Sequence, residues 1–185
     1  PDVRDQLSVR GFSYLSLEYI SPKLHNLINM RNLMGLRSPV HSLARLINPL
    51  NSSTILQGIF HPPYAPRHQA VGQQLGYKHL AVIKGEGGEI ERNPDNSTTL
   101  FSALNGALSE EEWPAMYQKR HLKESEMTVD QMKSIWRGDL SDEYALGAII
   151  GTCALALKAI QPTITQEVAF EKANTLWSSR NLELV

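Results

Sequence analysis

The stretch His79-Leu-Ala-Val-Ile-Lys-Gly-Glu-Gly-Gly-Glu-Ile-Glu91 decides the fold of this chain. Residues 79–83 form a continuous apolar run of the kind that is buried on both faces of a parallel sheet. Upstream, residues 53–60 form a second apolar run, and residues 65–75 have a helical pattern that ends at Gly76. Strand, helix and strand within about thirty residues predict a right-handed βαβ unit. The sequence therefore predicts an α/β fold with a mostly parallel sheet flanked by helices.

The segments on either side of this unit fit the same fold. Residues 22–49 have the pattern of two helices, while residues 89–92 and 98–103 suggest two further strands. Residues 109–125 read as a long connection, and Thr128-Val-Asp-Gln131 has the pattern of a capping box. Apolar helices are expected over 144–160 and 168–178. With no repeat and no linker composition in the sequence, we expect one α/β domain over residues 1–185.

The composition is that of an ordinary soluble globular protein. Hydrophobic residues make up 42% and charged residues 20%, which excludes disordered, collagen-like and coiled-coil classes. The net charge of −1 does not indicate a dedicated nucleic-acid module. The single Cys153 allows no internal disulfide and fits a reducing, cytoplasmic location. The longest apolar run, residues 145–159, is short for a bilayer, so we expect no membrane partner.

The glycine-rich segment after the second predicted strand is the first candidate site. Ligands of open parallel sheets bind beyond the carboxyl ends of the strands. Glu86, Glu89 and Glu91 offer the oxygen ligands that Mg²⁺ uses together with substrate phosphates, and Lys84 could contact a phosphate. The segment has neither a P-loop ending nor the spacing of a dinucleotide fingerprint. The alternative interpretation is a glycine-rich hairpin with solvated glutamates.

Two basic groups are further candidates for binding anions. Residues 1–50 carry six Lys and Arg against three Asp and Glu, and Arg31, Arg37, His41 and Arg45 lie around a helix end and the next helix start. Guanidinium groups bind carboxylate or phosphate with two parallel hydrogen bonds. Lys119 and Arg120 lie close to Tyr117, a combination that could contact a nucleic-acid backbone and stack a base. For both groups the alternative interpretation is that the basic residues are ordinary surface side chains in water and bind no ligand.

The order of several short motifs resembles the anthranilate phosphoribosyltransferases, the TrpD-like family of the glycosyltransferase and nucleoside phosphorylase superfamily. These motifs are Gly11-Phe-Ser-Tyr-Leu-Ser-Leu-Glu-Tyr-Ile-Ser21-Pro22, Met30-Arg-Asn-Leu-Met-Gly-Leu-Arg-Ser38, the run from Leu43 to Asn48-Pro49, Val82-Ile-Lys-Gly-Glu-Gly-Gly88 and Trp136-Arg-Gly-Asp139. The resemblance covers the whole chain. It implies the large α/β domain of such an enzyme and transfer of ribosyl 5-phosphate from phosphoribosyl pyrophosphate to a nitrogen acceptor.

The resemblance also implies roles for individual residues. Arg31 matches the arginine that contacts the acceptor, with Arg37 and His41 beside it. Glu91 falls near the acidic pair that holds Mg²⁺ on phosphoribosyl pyrophosphate, with Glu86 and Glu89 close by. The implied partners are the small-molecule donor and acceptor, and the implied assembly of the full-length protein is a homodimer.

The chain departs from the family pattern at several motif positions. The family's Asp-Glu pair is Ile90-Glu91 here, its His-Pro histidine is Ser21, and its Gly-Pro is Ala44-Arg45. These departures resemble the divergent YbiB-like paralogues, which are associated with nucleic-acid binding. The alternative function is therefore a non-catalytic paralogue that binds DNA or RNA non-specifically.

Some segments of the family pattern do not occur in the sequence. The small helical domain, the Gly-Thr-Gly-Gly-Asp loop that cradles pyrophosphate and the Lys-His-Gly-Asn segment have no counterpart here. We therefore expect the chain to correspond to about the C-terminal half of such a protein and to bind phosphoribosyl pyrophosphate poorly on its own.

Overall fold

The computed structural model describes residues 2–36, 39–85, 87–121 and 128–184. It divides the chain into two compact units, Pro1–Ser52 and Ser53–Val185. The sequence predicts one α/β domain over residues 1–185, and in the structure the sheet lies wholly within the second unit. The α/β architecture therefore belongs to residues 53–185.

The first unit is helical in the residues described. Its elements are α1 (Val3–Arg10), α2 (Leu17–Ile20), α3 (Pro22–Asn29), α4 (Arg31–Met34), α5 (Val40–Leu43) and a 3₁₀ turn (Ala44–Leu46). The two helices predicted for residues 22–49 are therefore shorter segments. Proline at the first position starts α3, and Gly35, with a φ of 68°, ends α4 in the left-handed conformation that glycine adopts easily.

The second unit contains a four-stranded sheet with the spatial order β1-β2-β3-β4. Its strands are β1 (Thr54–Ile59), β2 (His79–Lys84), β3 (Thr98–Leu104) and β4 (Ala107–Trp113). The predicted βαβ unit is confirmed, because β1 and β2 are parallel and α6 (Ala65–Gln74) connects them. The α/β class is also confirmed. The expectation of a mostly parallel sheet is wrong, since the β2–β3 and β3–β4 pairs are antiparallel.

The hairpin of β3 and β4 accounts for that difference. Asn105 and Gly106 both have positive φ, 49° and 82°, which is the geometry of the tight Asn-Gly hairpin turn. Residues 109–113 are predicted to belong to the long connection over 109–125, which contains the run Glu110-Glu111-Glu112. In the structure these glutamates lie on an edge strand, where charged side chains can reach water. The prediction of a strand over residues 89–92 is wrong, because these residues form a loop.

Three further helices complete the second unit: α7 (Val129–Arg137), α8 (Glu143–Ile160) and α9 (Gln166–Ser178). The predicted capping box is confirmed, because Thr128 and Gln131 bond each other's backbone at the start of α7. Helix α8 packs on β1, β2 and α9, and its buried residues form much of the core together with residues of β2 and β3 and with Trp113.

Glycines let α8 come close to the loops that it covers. A Cβ on Gly147 would lie 2.5 Å from the ring of Tyr117, and a Cβ on Gly151 would lie 2.9 Å from the side chain of Arg92. Among the residues that the structure describes, α8 is also the one helix with the length and apolar composition to cross a membrane. Core helices meet that criterion too, and 39% of α8 is buried inside the protein.

Candidate functional site

The glycine-rich loop leaves β2 at the edge where the parallel strands β1 and β2 both end. The backbone N–H of Gly85 donates to the carbonyl oxygen of Ile59 over 2.8 Å and ties the loop to β1. A Cβ on Gly58 would lie 2.0 Å from the carbonyl oxygen of Glu89, so only glycine lets the loop pass so close to β1. The sequence thus fixes this loop on the carboxyl edge of the parallel pair, as in other open α/β sheets.

Glu89 and Glu91 lie in this loop and influence each other. The pKa of the Glu91 carboxyl is raised, first by partial burial and second by the negative charge of Glu89. Among the described residues, no hydrogen bond or ion pair reaches either carboxylate. Glu86, the third predicted metal ligand, lies outside the described residues. The loop therefore places two mutually repelling carboxylates at the end of the parallel strands.

Glu91 lies on the rim of a mostly apolar cavity of about 510 Å³. Helices α7, α8 and α9 supply most of its walls, including Trp136, Ile149 and Trp177. Tyr144 also lines this cavity, and its pKa is raised by burial and by the charges of Glu91, Asp95 and Glu89. The site thus has a carboxylate and a phenol beside an apolar space.

Lys84 lies at the same sheet edge but on a different cavity, of about 240 Å³. Asn93, Asn96 and Ser97 share this cavity with it, together with the start of α6 at Ala65. An exposed ammonium group among amides and hydroxyls can hydrogen-bond the oxygens of an anion. The structure thus puts Lys84, the last residue of β2, and Glu91, in the loop that follows, on different cavities.

A second cluster of charged groups is built around His121. Its backbone N–H and its Nδ1 bond the two oxygens of the Asp95 carboxylate, at 2.8 and 2.7 Å. Its Nε2 lies 3.0 Å from Oε2 of Glu143. These hydrogen bonds, first the one to Asp95 and then the one to Glu143, raise the pKa of His121. Burial alone would raise the pKa of Asp95, but the bonds from His121 and the charges of His121 and Arg120 lower it overall.

Lys119 and Arg120, predicted to contact phosphate or nucleic acid, belong to this second cluster. Both line a cavity of about 500 Å³ together with Tyr117, His121 and Glu143. The Tyr117 hydroxyl donates to the carbonyl oxygen of Glu143 over 2.9 Å, and its ring lies 5.0 Å from that of His121. The structure therefore brings these two predicted cations together.

The other predicted site residues belong to the first unit. His41 and Arg45 line one cavity of about 310 Å³, whose other walls are mainly apolar. Arg31 is exposed at the start of α4 and does not line that cavity. Arg37 lies outside the described residues. The structure thus pairs His41 with Arg45, and it does not place Arg31 beside them.

Sequence reasoning missed Asp95, Glu143 and Arg92. Asp95 and Glu143 are distant in sequence from His121, so no local motif links the three. Arg92 follows the candidate metal ligand directly, but its side chain is fully buried in the core. The signal available for Arg92 was its place beside Glu91 in the loop that follows a buried strand, but spacing alone does not tell an outward from an inward side chain in a loop.

Comparison with known proteins gives distant relatives of one kind. No family profile matches the chain. An anthranilate phosphoribosyltransferase of Ralstonia pickettii is 28% identical over 60% of the chain and 32% of its own length. One from Paracidovorax citrulli is 25% identical over 88% of the chain and 50% of its own length. An uncharacterized protein of Aquifex aeolicus is 31% identical over 48% of the chain and 28% of its own length.

These relatives confirm the resemblance that the motif order indicates. The chain spans half or less of the length of these curated relatives. The similarity is distant, and it supports a relationship at the level of the family.

Proposed function

We propose that this chain, a distant relative of the anthranilate phosphoribosyltransferases, is part of a protein that transfers ribosyl 5-phosphate from phosphoribosyl pyrophosphate to a nitrogen acceptor. In such a reaction the bond from ribose C1 to a pyrophosphate oxygen breaks and a bond to the acceptor nitrogen forms. The observation that carries the proposal is the pair Glu89 and Glu91, two repelling carboxylates held at the carboxyl edge of β1 and β2. A cation shared with a pyrophosphate would neutralise them.

The two carboxylates fit a magnesium ion that is bound together with its substrate. The described residues contain no group of three or more His, Cys, Asp or Glu side chains able to hold a metal. Mg²⁺ is commonly held by one or two carboxylates plus substrate phosphates, so two glutamates are a sufficient protein contribution. When bound, Mg²⁺ would offset the negative charge that develops on the departing pyrophosphate. Glu91 and Glu89 would hold the ion, together with Glu86 if the sequence-based prediction of three ligands holds.

The other predicted residues would position the two substrates. Lys84 lies at the end of β2 among amide and hydroxyl groups, where it can donate to phosphate oxygens. For Arg31, Arg37 and His41 the proposal rests on the family resemblance alone, which implies contact with the acceptor. Phosphoribosyl transfer needs this positioning and charge neutralisation rather than a covalent nucleophile on the protein.

Calorimetry tests the proposal. Phosphoribosyl pyrophosphate is titrated into the full-length protein that contains this chain, with and without Mg²⁺, and we expect binding that requires the ion. Glu91→Gln and Glu89→Gln should each weaken the Mg²⁺-dependent affinity at least about fivefold, because each removes one anionic ligand.

Glu110→Gln is the matched control, since Glu110 is exposed on β4, away from the loop. It should leave the affinity unchanged. Binding that is absent, independent of Mg²⁺ or insensitive to both loop substitutions would refute the proposed function.

The second candidate function is non-specific binding of nucleic acid. It is favoured by Lys119 and Arg120, which line one cavity beside the Tyr117 ring. Retention of a single-stranded oligonucleotide that falls steeply with salt, together with no heat from phosphoribosyl pyrophosphate, would favour this function over the first. Lys119→Ala and Arg120→Ala should then each reduce the salt dependence of retention.

A further inference from the structure

The cluster around His121 contains one fixed and one exchangeable carboxylate. Asp95 has a side chain that is only 4% exposed, and it receives two hydrogen bonds from the same residue. This arrangement holds the imidazole in one orientation and keeps Nδ1 as the donor to Asp95. Glu143, on the opposite side, has a side chain that is 68% exposed. The imidazole is thus held in place by the buried Asp95 at Nδ1, and its other nitrogen, Nε2, bonds the solvent-exposed carboxylate of Glu143.

The contact between His121 and Glu143 is weak enough for a ligand to replace it. Exposed ion pairs contribute little to stability, because water solvates both groups well without the contact. Glu143 is the first residue of α8, so its side chain lies at the positive end of the helix dipole. Lys119 and Arg120 line the cavity of about 500 Å³ onto which Glu143 opens. Lys119 and Arg120 therefore line the same cavity as His121 and the carboxylate that now occupies its Nε2.

We propose that His121, Lys119 and Arg120 form a binding site for a phosphate group, in which the phosphate takes the place of the Glu143 carboxylate at Nε2 of His121. Asp95 positions the imidazole, and Glu143 acts as an internal competitor that occupies the site when no ligand is bound. The phosphate belongs either to a small phosphate monoester or to a nucleic-acid backbone. This site lies outside the glycine-rich loop, and it does not depend on the function proposed for Glu89 and Glu91.

The charges around the imidazole set the pH dependence of binding. Among the described residues, Asp95 and Glu143 bond the imidazole of His121, the rings of Tyr117 and Tyr144 lie against it, and the charge of Arg120 acts on Asp95. The two carboxylates keep the imidazole protonated to a higher pH than usual, so Nε2 carries the proton that a phosphate oxygen accepts. Affinity should fall as the pH rises through the His121 pKa, and it should also fall at strongly acidic pH, because a phosphate monoester takes up a proton at about pH 6 and loses charge.

The test uses the whole chain and three probes: inorganic phosphate, ribose 5-phosphate and an oligothymidine without terminal phosphate. The carbon-bound ring protons of His121 are followed by NMR at pH 6 and pH 8.5, and the His121→Gln spectrum identifies them. At pH 6 inorganic phosphate should shift these signals and saturate. A response to ribose 5-phosphate alone assigns a monoester as the source, and a response to the oligothymidine assigns a nucleic acid.

Glu143→Gln separates this site from an ordinary surface ion pair. Removal of the competitor should tighten phosphate binding about two- to fivefold at pH 6, the factor expected from one exposed ion pair. His121→Gln, which lacks the observed ring, is titrated with phosphate by calorimetry beside the native protein and should bind at least about tenfold more weakly. Glu171→Gln, an exposed carboxylate on α9, is the control and should change nothing.

Glu143→Gln with unchanged or weaker phosphate binding would overturn the proposal, and so would His121 signals that no probe moves. Glu143 is exposed, so its substitution does not threaten folding. Loss of phosphoribosyl pyrophosphate binding in the glutamate variants of the loop would leave this result untouched.

Discussion

The buried Arg92 offers a quantitative test of how the core holds a charge. Its side chain is fully buried, with the guanidinium carbon 5.5 Å from the ring centres of both Trp113 and Phe170. Nη2 donates to the carbonyl oxygen of Pro114, while Nε and Nη1 have no partner among the described residues. Burial lowers the pKa of Arg92 from 12.5 to about 10. We take Arg92→Met and Arg92→Ala as the pair of substitutions to compare.

The magnitudes follow from these contacts. A pKa lowered from 12.5 to about 10 corresponds to about 3 kcal/mol against the charged form at neutral pH. A hydrogen bond from a charged group contributes roughly 1.5–3 kcal/mol, and the cation–π contacts add about 0.5–2 kcal/mol each. These terms nearly offset one another. Methionine keeps an unbranched chain between the two rings, so Arg92→Met should change the free energy of unfolding by no more than about 1.5 kcal/mol.

Arg92→Ala should be clearly more damaging. It removes the side chain that fills the space between Trp113, Phe170 and Gly151, and such truncations in a core destabilise by about 2–5 kcal/mol. The assay is urea unfolding followed by circular dichroism, with the slope of the transition checked for constancy. If Arg92→Met destabilises as much as Arg92→Ala, the guanidinium contacts outweigh packing and desolvation, and the reasoning fails.

The pH dependence gives an independent check on Arg92. Its pKa is lower in the folded state than in the unfolded state, so between pH 10 and 12.5 the folded state binds fewer protons. Stability from this group therefore rises with pH in that window, while the desolvation penalty is fully present below it. The native protein should gain about 1 kcal/mol relative to Arg92→Met between pH 8 and pH 11. No relative gain would mean that Arg92 is not desolvated as the structure implies.

Two other predictions concern the sheet edge and the core. Gly58→Ala should lower the free energy of unfolding by about 2–3 kcal/mol and abolish Mg²⁺-dependent ligand binding, because the added Cβ would meet the Glu89 carbonyl. In Gly87→Ala the added Cβ meets only the flexible end of the Glu89 side chain, so the free energy of unfolding should fall by less than about 1 kcal/mol. Equal losses in the two variants would contradict the close approach of loop and strand. Burial lowers the pKa of His79 despite the hydrogen bond between its Nδ1 and the carbonyl oxygen of Ala159, 2.7 Å apart. The stability that neutral His79 contributes is therefore complete above pH 6.5 and is lost as the pH falls. Between pH 7.5 and 5 the free energy of unfolding, measured in urea, should decline less in His79→Gln than in the native protein. Parallel declines would remove His79 as the cause.

Much of the second unit could be predicted from local sequence patterns. The apolar run 79–83, the helical spacing of 65–75 and the capping box at Thr128 each depend on neighbouring residues, and all three lie where they were expected. Strand β4 could not be recognised in this way, because its glutamates have the pattern of a solvated segment. Its pairing with β3 depends on the turn at Asn105 and Gly106 and on contacts across the hairpin.

The candidate sites also differ in whether their residues are close together in the sequence. Glu89, Glu91 and Lys84 were found because they follow a recognisable strand on the chain. The contact of His121 with both Asp95 and Glu143 joins residues 26 and 22 positions apart, and only the folded chain brings these side chains together. A hydrophobic pattern can place a strand end, but it carries no information about which distant carboxylate will face a given imidazole.

The glycines that let α8 approach its neighbours have a consequence for how this unit holds together. Gly147 and Gly151 each lower the intrinsic helix propensity of α8 by about 1 kcal/mol relative to alanine. In return they admit the Tyr117 ring, Pro94 and the Arg92 side chain, all of which come from loops far away in sequence. The helicity of α8 is therefore conditional on those loops being in place. We therefore expect opening of the loop that carries Asp95 to accompany loss of order in α8, so that the local stability of the proposed phosphate site follows that of the core.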